Sequence, residues 1–78
     1  MNSIKADVSI DTSGRACPYP VLNTKIALGK LQSGQILEVI ASDSAAESDI
    51  PVLVKRLGHE LIESRQADGV LSFFIKKT

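Results

Sequence analysis

The apolar positions change period along the chain, and each change marks an element. Val8 and Ile10 alternate with Asp7, Ser9 and Asp11, the period of two expected of a strand with one face on a core. Ser13 and Gly14 then break the alternation within Thr12 to Ala16. From Pro18 to Leu31 the pattern is helical, with Val21, Thr24, Ala27, Leu28 and Leu31 on one face and Asn23 and Lys30 pointing away. Ser33 and Gly34 are expected to end this helix, Gly34 being suited to a left-handed cap.

Ile36 to Ala41 is apolar on both sides except at Glu38, which predicts an interior strand beside a parallel neighbour. Ser42 to Ser44 reads as a polar turn. A second helix follows, with Ile50, Leu53, Val54 and Leu57 as its buried stripe and Gly58 as its stop. Two starts compete: Ser44 with Glu47 forms a capping box, whereas Ser48 as cap would place Pro51 in the first turn. The first is favoured and predicts a helix from near Ala45, distorted by Pro51. Glu60 to Gln66 and Val70 to Lys76 are short strands joined by Ala67-Asp68-Gly69, and Asp-Gly is a strong hairpin signal. The order is therefore β-α-β-α-β-β. Right-handed crossovers place both helices on one face of a mixed four-stranded sheet, an α/β (α+β) two-layer sandwich forming one domain over residues 1–78.

Composition narrows the function classes. With 44% hydrophobic and 23% charged residues the chain is a packed globule, and its core is aliphatic because Tyr19, Phe73 and Phe74 are its only aromatics. Nine Lys and Arg offset nine Asp and Glu, so no long-range field steers it to nucleic acid or an anionic membrane. No apolar stretch approaches the roughly 20 residues of a membrane span, and Met1 to Ala6 lacks the apolar region of a signal peptide. A cytoplasmic monomer without nucleic-acid or membrane contacts is expected.

One cysteine and one histidine exclude an internal disulfide and a C-x-x-C pair, and leave too few soft ligands for structural zinc. Neither metal nor cofactor is expected. Cys17 lies between the first strand and the first helix, before Pro18-Tyr19-Pro20. Proline suits the first helical position, so Pro18 there makes Cys17 the N-cap, beside the positive end of the helix dipole, where a thiol ionises more easily. Pro18 and Pro20 donate no hydrogen bonds, which leaves the N–H groups of Tyr19 and Val21 as local donors to a sulfur anion. Arg15 either adds positive charge or points into solvent. No His, Asp or Glu stands within five residues of Cys17, so a Cys-His nucleophile would depend on His59. A lone cysteine is commonly a buried small hydrophobe, but the polar turn and two prolines favour an exposed, reactive side chain. Beside it, Leu22 and Ile26 fall off the core face with Lys25 between the stripes, which suggests a protein-docking surface unless a wider buried face absorbs them.

The run Asp11-Thr12-Ser13-Gly14-Arg15-Ala16-Cys17-Pro18-Tyr19-Pro20-Val21-Leu22, continuing to Thr24-Lys25 and Ala27-Leu28, resembles the signature of the TusA-like (SirA-like) sulfur-carrier family. The match extends through Gly34, Asp43, Asp49-Ile50-Pro51 and Gly58-His59-Glu60, nearly the whole chain. The resemblance implies a sandwich like the C-terminal domain of translation initiation factor 3. It also implies a carrier whose cysteine, here Cys17, holds sulfur as a persulfide. Such carriers take sulfur from a cysteine desulfurase or a rhodanese-type sulfurtransferase and pass it to an acceptor protein, on routes to thiolated tRNA, molybdenum cofactor or sulfur oxidation. Lys25 corresponds to a position where relatives use a basic residue to dock a desulfurase. The chain departs at Arg15, where relatives more often have leucine, and at Gly29, which replaces a basic residue of some tRNA-thiolation members; both bear on partner choice. Asp49 reads as helix capping or dipole stabilisation, His59 as structural, and Asp43 has no evident role. Two rival readings are a redox-responsive regulator using Cys17, weakened by the lack of a resolving cysteine, and a nucleic-acid module, opposed by the zero net charge.

Overall fold

A computed structural model describes residues 5–15 and 19–78. Its elements are β1 (Val8–Asp11), α1 (Tyr19–Lys30), β2 (Ile36–Ala41), α2 (Ala46–Leu57), β3 (Glu60–Ala67) and β4 (Val70–Lys76), in the predicted order. The strands lie in the order β1-β2-β4-β3, with β1 parallel to β2 and β4 antiparallel to both of its neighbours.

The apolar run of β2, broken only at Glu38, follows from its place inside the sheet. Leu37, Val39 and Ala41 have no exposed surface, and the register sets them against Ile75, Phe73 and Leu71 of β4. Leu28 of α1 and Leu31 just after that helix, with Ile50 and Val54 of α2, close the same cluster from above, so both helices share one face and Phe73 is the one aromatic in an otherwise aliphatic cluster. Phe74 points to the opposite face. It is nevertheless buried: it lies beside Glu38 and Glu63 in the register, and the Arg65 guanidinium stacks over its ring at 5.2 Å from the centroid. Arg65 also pairs with Glu63.

The termini of the elements depart in detail from the sequence reading. The turn of the hairpin is Asp68-Gly69 alone, both at positive φ (53° and 78°), while Ala67 stays in β3 opposite Val70. Two consecutive positive φ values are what a two-residue turn needs to match strand twist. Helix α1 stops at Lys30, before Ser33 and Gly34. The positive φ of Gly34 (92°) belongs to the following turn, and Lys77 Nζ caps the helix by donating to the Leu28 carbonyl at 2.6 Å. The expected Ser44–Glu47 capping box does not form, because the cap position is Ala45, whose side chain cannot accept. Asp43 Oδ1 takes the Ala45 N–H instead, at 3.1 Å. Gly58 does end α2 in the left-handed conformation. Leu57, expected in the buried stripe, is 38% exposed, since only Ala46, Ile50 and Val54 face the sheet squarely.

The core argument predicts that Leu37→Ala costs about 2–5 kcal/mol in urea unfolding, while Val52→Ala, on the exposed side of α2, costs roughly 0.5 kcal/mol or less. Equal losses would mean that β2 is not the centre of the core.

Candidate functional site

The loop that leaves β1 is hung on the end of β2. Thr12 is buried, and both its N–H and its hydroxyl donate to the Ile40 carbonyl, each at 2.7 Å. Gly14, at φ 83°, donates its N–H to the Ser42 hydroxyl oxygen at 2.7 Å, and Arg15 N–H returns to the Thr12 carbonyl at 3.1 Å. Asp11 Oδ1 accepts the Ser13 N–H at 2.9 Å, an Asx turn of the same kind as Asp43 makes after β2. The hydroxyl and N–H of Ser13, in that order of effect, hold the Asp11 carboxyl below the usual carboxylate range. Nothing in the apolar periodicity marks Thr12 or Ser42 for this role. Their only sequence signal is a hydroxyl residue just beyond each strand.

Cys17 and Pro18 lie outside the described residues, so the N-cap geometry expected of them does too. Their neighbours are placed. Tyr19 opens the described helix with its ring half exposed, and the Arg15 guanidinium sits 6.0 Å from the ring centroid. Of the two alternatives for Arg15, the structure therefore gives a cation held against Tyr19 at the start of α1. Pro20 is buried, and its carbonyl accepts the Thr24 hydroxyl at 2.7 Å, which seats the first turn of α1 in the core.

On the outer side of α1, Leu22 and Ile26 are 47% and 50% exposed, so the core does not absorb them. With Tyr19 they form a stripe one turn apart, running away from the loop, and Lys25 stands beside it. Among the described residues Lys25 and Lys30 have no ion-pair or hydrogen-bond partner. A groove of about 460 Å³ lies between this helix and β1, lined by Val8, Ile10, Ile26, Ala27, Lys30 and Leu31 among others.

His59 begins at the other end of the sheet, where Glu60 pairs with Lys76. Its Nδ1 accepts the Thr78 N–H at 3.2 Å, which ties Thr78 to the turn after α2. Asp49 lies in the acidic first turn of α2, as dipole stabilisation requires. Among the described residues no group of His, Cys, Asp and Glu could hold a metal ion, and no helix is long and apolar enough to cross a membrane.

The family model for sulfurtransferase TusA matches residues 8–77. The sulfur carrier protein TusA of Allochromatium vinosum is 42% identical over 92% of this chain and 95% of its own. YrkI of Bacillus subtilis, whose name describes it as a sulfur carrier protein, is 43% identical over 95% of this chain and 99% of its own. The crystal structure of a SirA-like protein from Desulfitobacterium hafniense superposes with a TM-score of 0.80 at 27% identity, covering 88% of this chain and 95% of that one.

The turn geometry predicts that Ser13→Ala raises the pKa of Asp11 towards the ordinary carboxylate value, read from its side-chain carbon shift against pH. Because that pKa is depressed in the folded chain, the stabilisation of the turn is complete above the usual carboxylate range and is lost as pH falls through the lowered value. An unchanged titration in the variant would remove the Ser13 hydroxyl as the main cause of the depressed pKa.

Proposed function

This chain belongs to the sulfurtransferase TusA family, and from that membership we propose that it carries sulfane sulfur as a persulfide on Cys17. The observation that carries the reading is the anchored frame on either side of the sole cysteine: Gly14 clipped to Ser42 before it, and Tyr19 opening α1 after it, with the Arg15 guanidinium against the Tyr19 ring. In sequence the Arg15 cation stands two residues before Cys17 and α1 begins two residues after it, the kinds of neighbour that favour a thiolate.

The reaction needs little more. The Cys17 thiolate attacks the terminal sulfur of a donor persulfide; a new S–S bond forms on Cys17, the donor's S–S bond breaks, and the donor leaves as its thiolate. No net oxidant is consumed and no internal base is required. Delivery is the same exchange in reverse, to an acceptor thiol. Family membership supplies a donor and an acceptor as partners. We assign the donor to the class of cysteine desulfurases or rhodanese-type sulfurtransferases and the contact surface to Leu22, Lys25 and Ile26 with Tyr19. Exposed aliphatics beside a lysine suit a protein surface better than a small molecule.

Transfer of radiolabelled sulfur from a loaded rhodanese-type sulfurtransferase tests this reading. Leu22→Glu and Lys25→Glu are expected to lower the transfer rate about tenfold, a loss of roughly 1.4 kcal/mol, and to leave alkylation of Cys17 by iodoacetamide unchanged. Full transfer in both variants would remove the docking surface, and transfer that persists in Cys17→Ser would remove the carrier role of that residue.

A further inference from the structure

Three connections meet at one end of the sheet. The register sets Asp11, which closes β1, beside Ile40, and sets Ala41, which closes β2, beside Leu71 near the start of β4. The loop after β1, the turn after β2 and the β3–β4 hairpin turn therefore lie together, at the end from which the chain runs on through Cys17 to α1. Asp11, Asp43 and Asp68 bring three carboxylates to these connections, and Glu47 adds a fourth in the first turn of α2. Hydrogen bonds aim Asp11 and Asp43 at the N–H groups of Ser13 and Ala45 without discharging them. Against these anions the described connections carry one cation, Arg15. Arg65, on the adjoining stretch of β3, is paired with Glu63.

Arg15 is exposed, and an arginine left to solvent would spread its charge over many rotamers. It is held instead at both ends. Its N–H donates to the Thr12 carbonyl, and its guanidinium lies 6.0 Å from the centroid of the Tyr19 ring, with no carboxylate partner among the described residues. Tyr19 is itself fixed, because it opens α1 and is followed by the buried Pro20. The contact thus joins the two flanks of the short segment that contains Cys17, which stands two residues from each in sequence. Two residues of chain span at most about 7 Å, less than the screening length of about 10 Å at 0.1 M salt.

We infer that Tyr19 is a positioning residue whose ring holds the Arg15 cation across the Cys17 segment, and that the held cation admits anionic sulfur species to an otherwise acidic end of the sheet. From the carrier reading comes only the reacting residue, Cys17; what is added is the class of reactant, donors with negative charge beside the transferable sulfur. Such a reactant brings an anion towards a thiolate, and during exchange the negative charge passes from Cys17 to the leaving thiolate. Both anions lie within reach of one cation, which without the ring would be free to leave.

Paired alkylation rates of Cys17 test this, with iodoacetate as the anionic probe and iodoacetamide as the neutral one. Both are too small to span the stripe on α1, and their ratio cancels any change in thiolate fraction. Arg15→Gln is expected to lower the iodoacetate-to-iodoacetamide ratio about threefold at low salt, the effect of one exposed charge at roughly 7 Å, and about 1 M salt should shrink the difference. Tyr19→Ala should lower the ratio equally, Tyr19→Phe should keep it, and Arg15→Gln with Tyr19→Ala should fall no further than either alone. An unchanged ratio in Arg15→Gln, a fall in Arg15→Gln without one in Tyr19→Ala, or a ratio in Tyr19→Phe as low as in Tyr19→Ala would each overturn the proposal. The same ordering is expected for loading by glutathione persulfide, which has net negative charge, relative to cysteamine persulfide, which carries an amine cation; an equal preference in wild type and Arg15→Gln would overturn it too. Loading by neither persulfide, with the alkylation ratios as expected, would defeat the carrier reading and leave the role of Tyr19 standing.

Discussion

The position of β2 between a parallel and an antiparallel neighbour is the constraint from which the rest follows. Its inward side chains are fully buried against β4 and the two helices, so the strand has no freedom to slip without exposing Leu37, Val39 and Ala41. Its far end then supplies the acceptors on which the loop after β1 hangs, the Ile40 carbonyl and the Ser42 hydroxyl. Core packing and site geometry are thus linked through two adjoining stretches of one strand and its exit turn. The link also explains how a domain this small can anchor the loop after β1: Thr12 and Gly14 are tied to the centre of the sheet and its exit turn.

The chemistry suits that economy of parts. Sulfur exchange through a persulfide needs an ionisable thiol, an approach path and a partner, and it proceeds without an internal acid-base pair. The sole histidine is engaged with the last residue at the opposite end of the sheet, so the fold keeps it away from Arg15 and Tyr19. The surface of α1 offers a partner an exposed stripe of Tyr19, Leu22 and Ile26 with Lys25 beside it.

Element order, the buried face of α1 and the span of β2 were legible in the sequence because each rests on periodicity, which burial enforces directly. Gly58 as a stop and Asp-Gly as a turn were legible for a related reason, since positive φ is tolerated by few residues. The local caps were not. Ser44 with Glu47 satisfied a capping pattern, yet Asp43 one residue earlier made the Asx turn, because the backbone path out of β2 decides which oxygen can reach. The role of Arg15 was open for a similar reason: a side chain in a loop has several destinations, and the ring of Tyr19, four residues on, settles it only in three dimensions. The burial of Phe74 on the open face was equally illegible, as it depends on the cross-strand register that brings Arg65 over its ring. Conversely, the exposure of Leu22 and Ile26, which the helical wheel left open, follows from the narrowness of the face that α1 turns to the sheet.

The account turns on one sulfur atom, and the intact mass of the protein reads it directly. After incubation with a loaded rhodanese-type sulfurtransferase and removal of the donor, the wild type is predicted to gain the mass of one sulfur atom, lost on treatment with a reductant, while Cys17→Ser gains none. A wild type that stays unmodified with both a rhodanese-type donor and a cysteine desulfurase, although its Cys17 still reacts with an alkylating agent, would contradict the account.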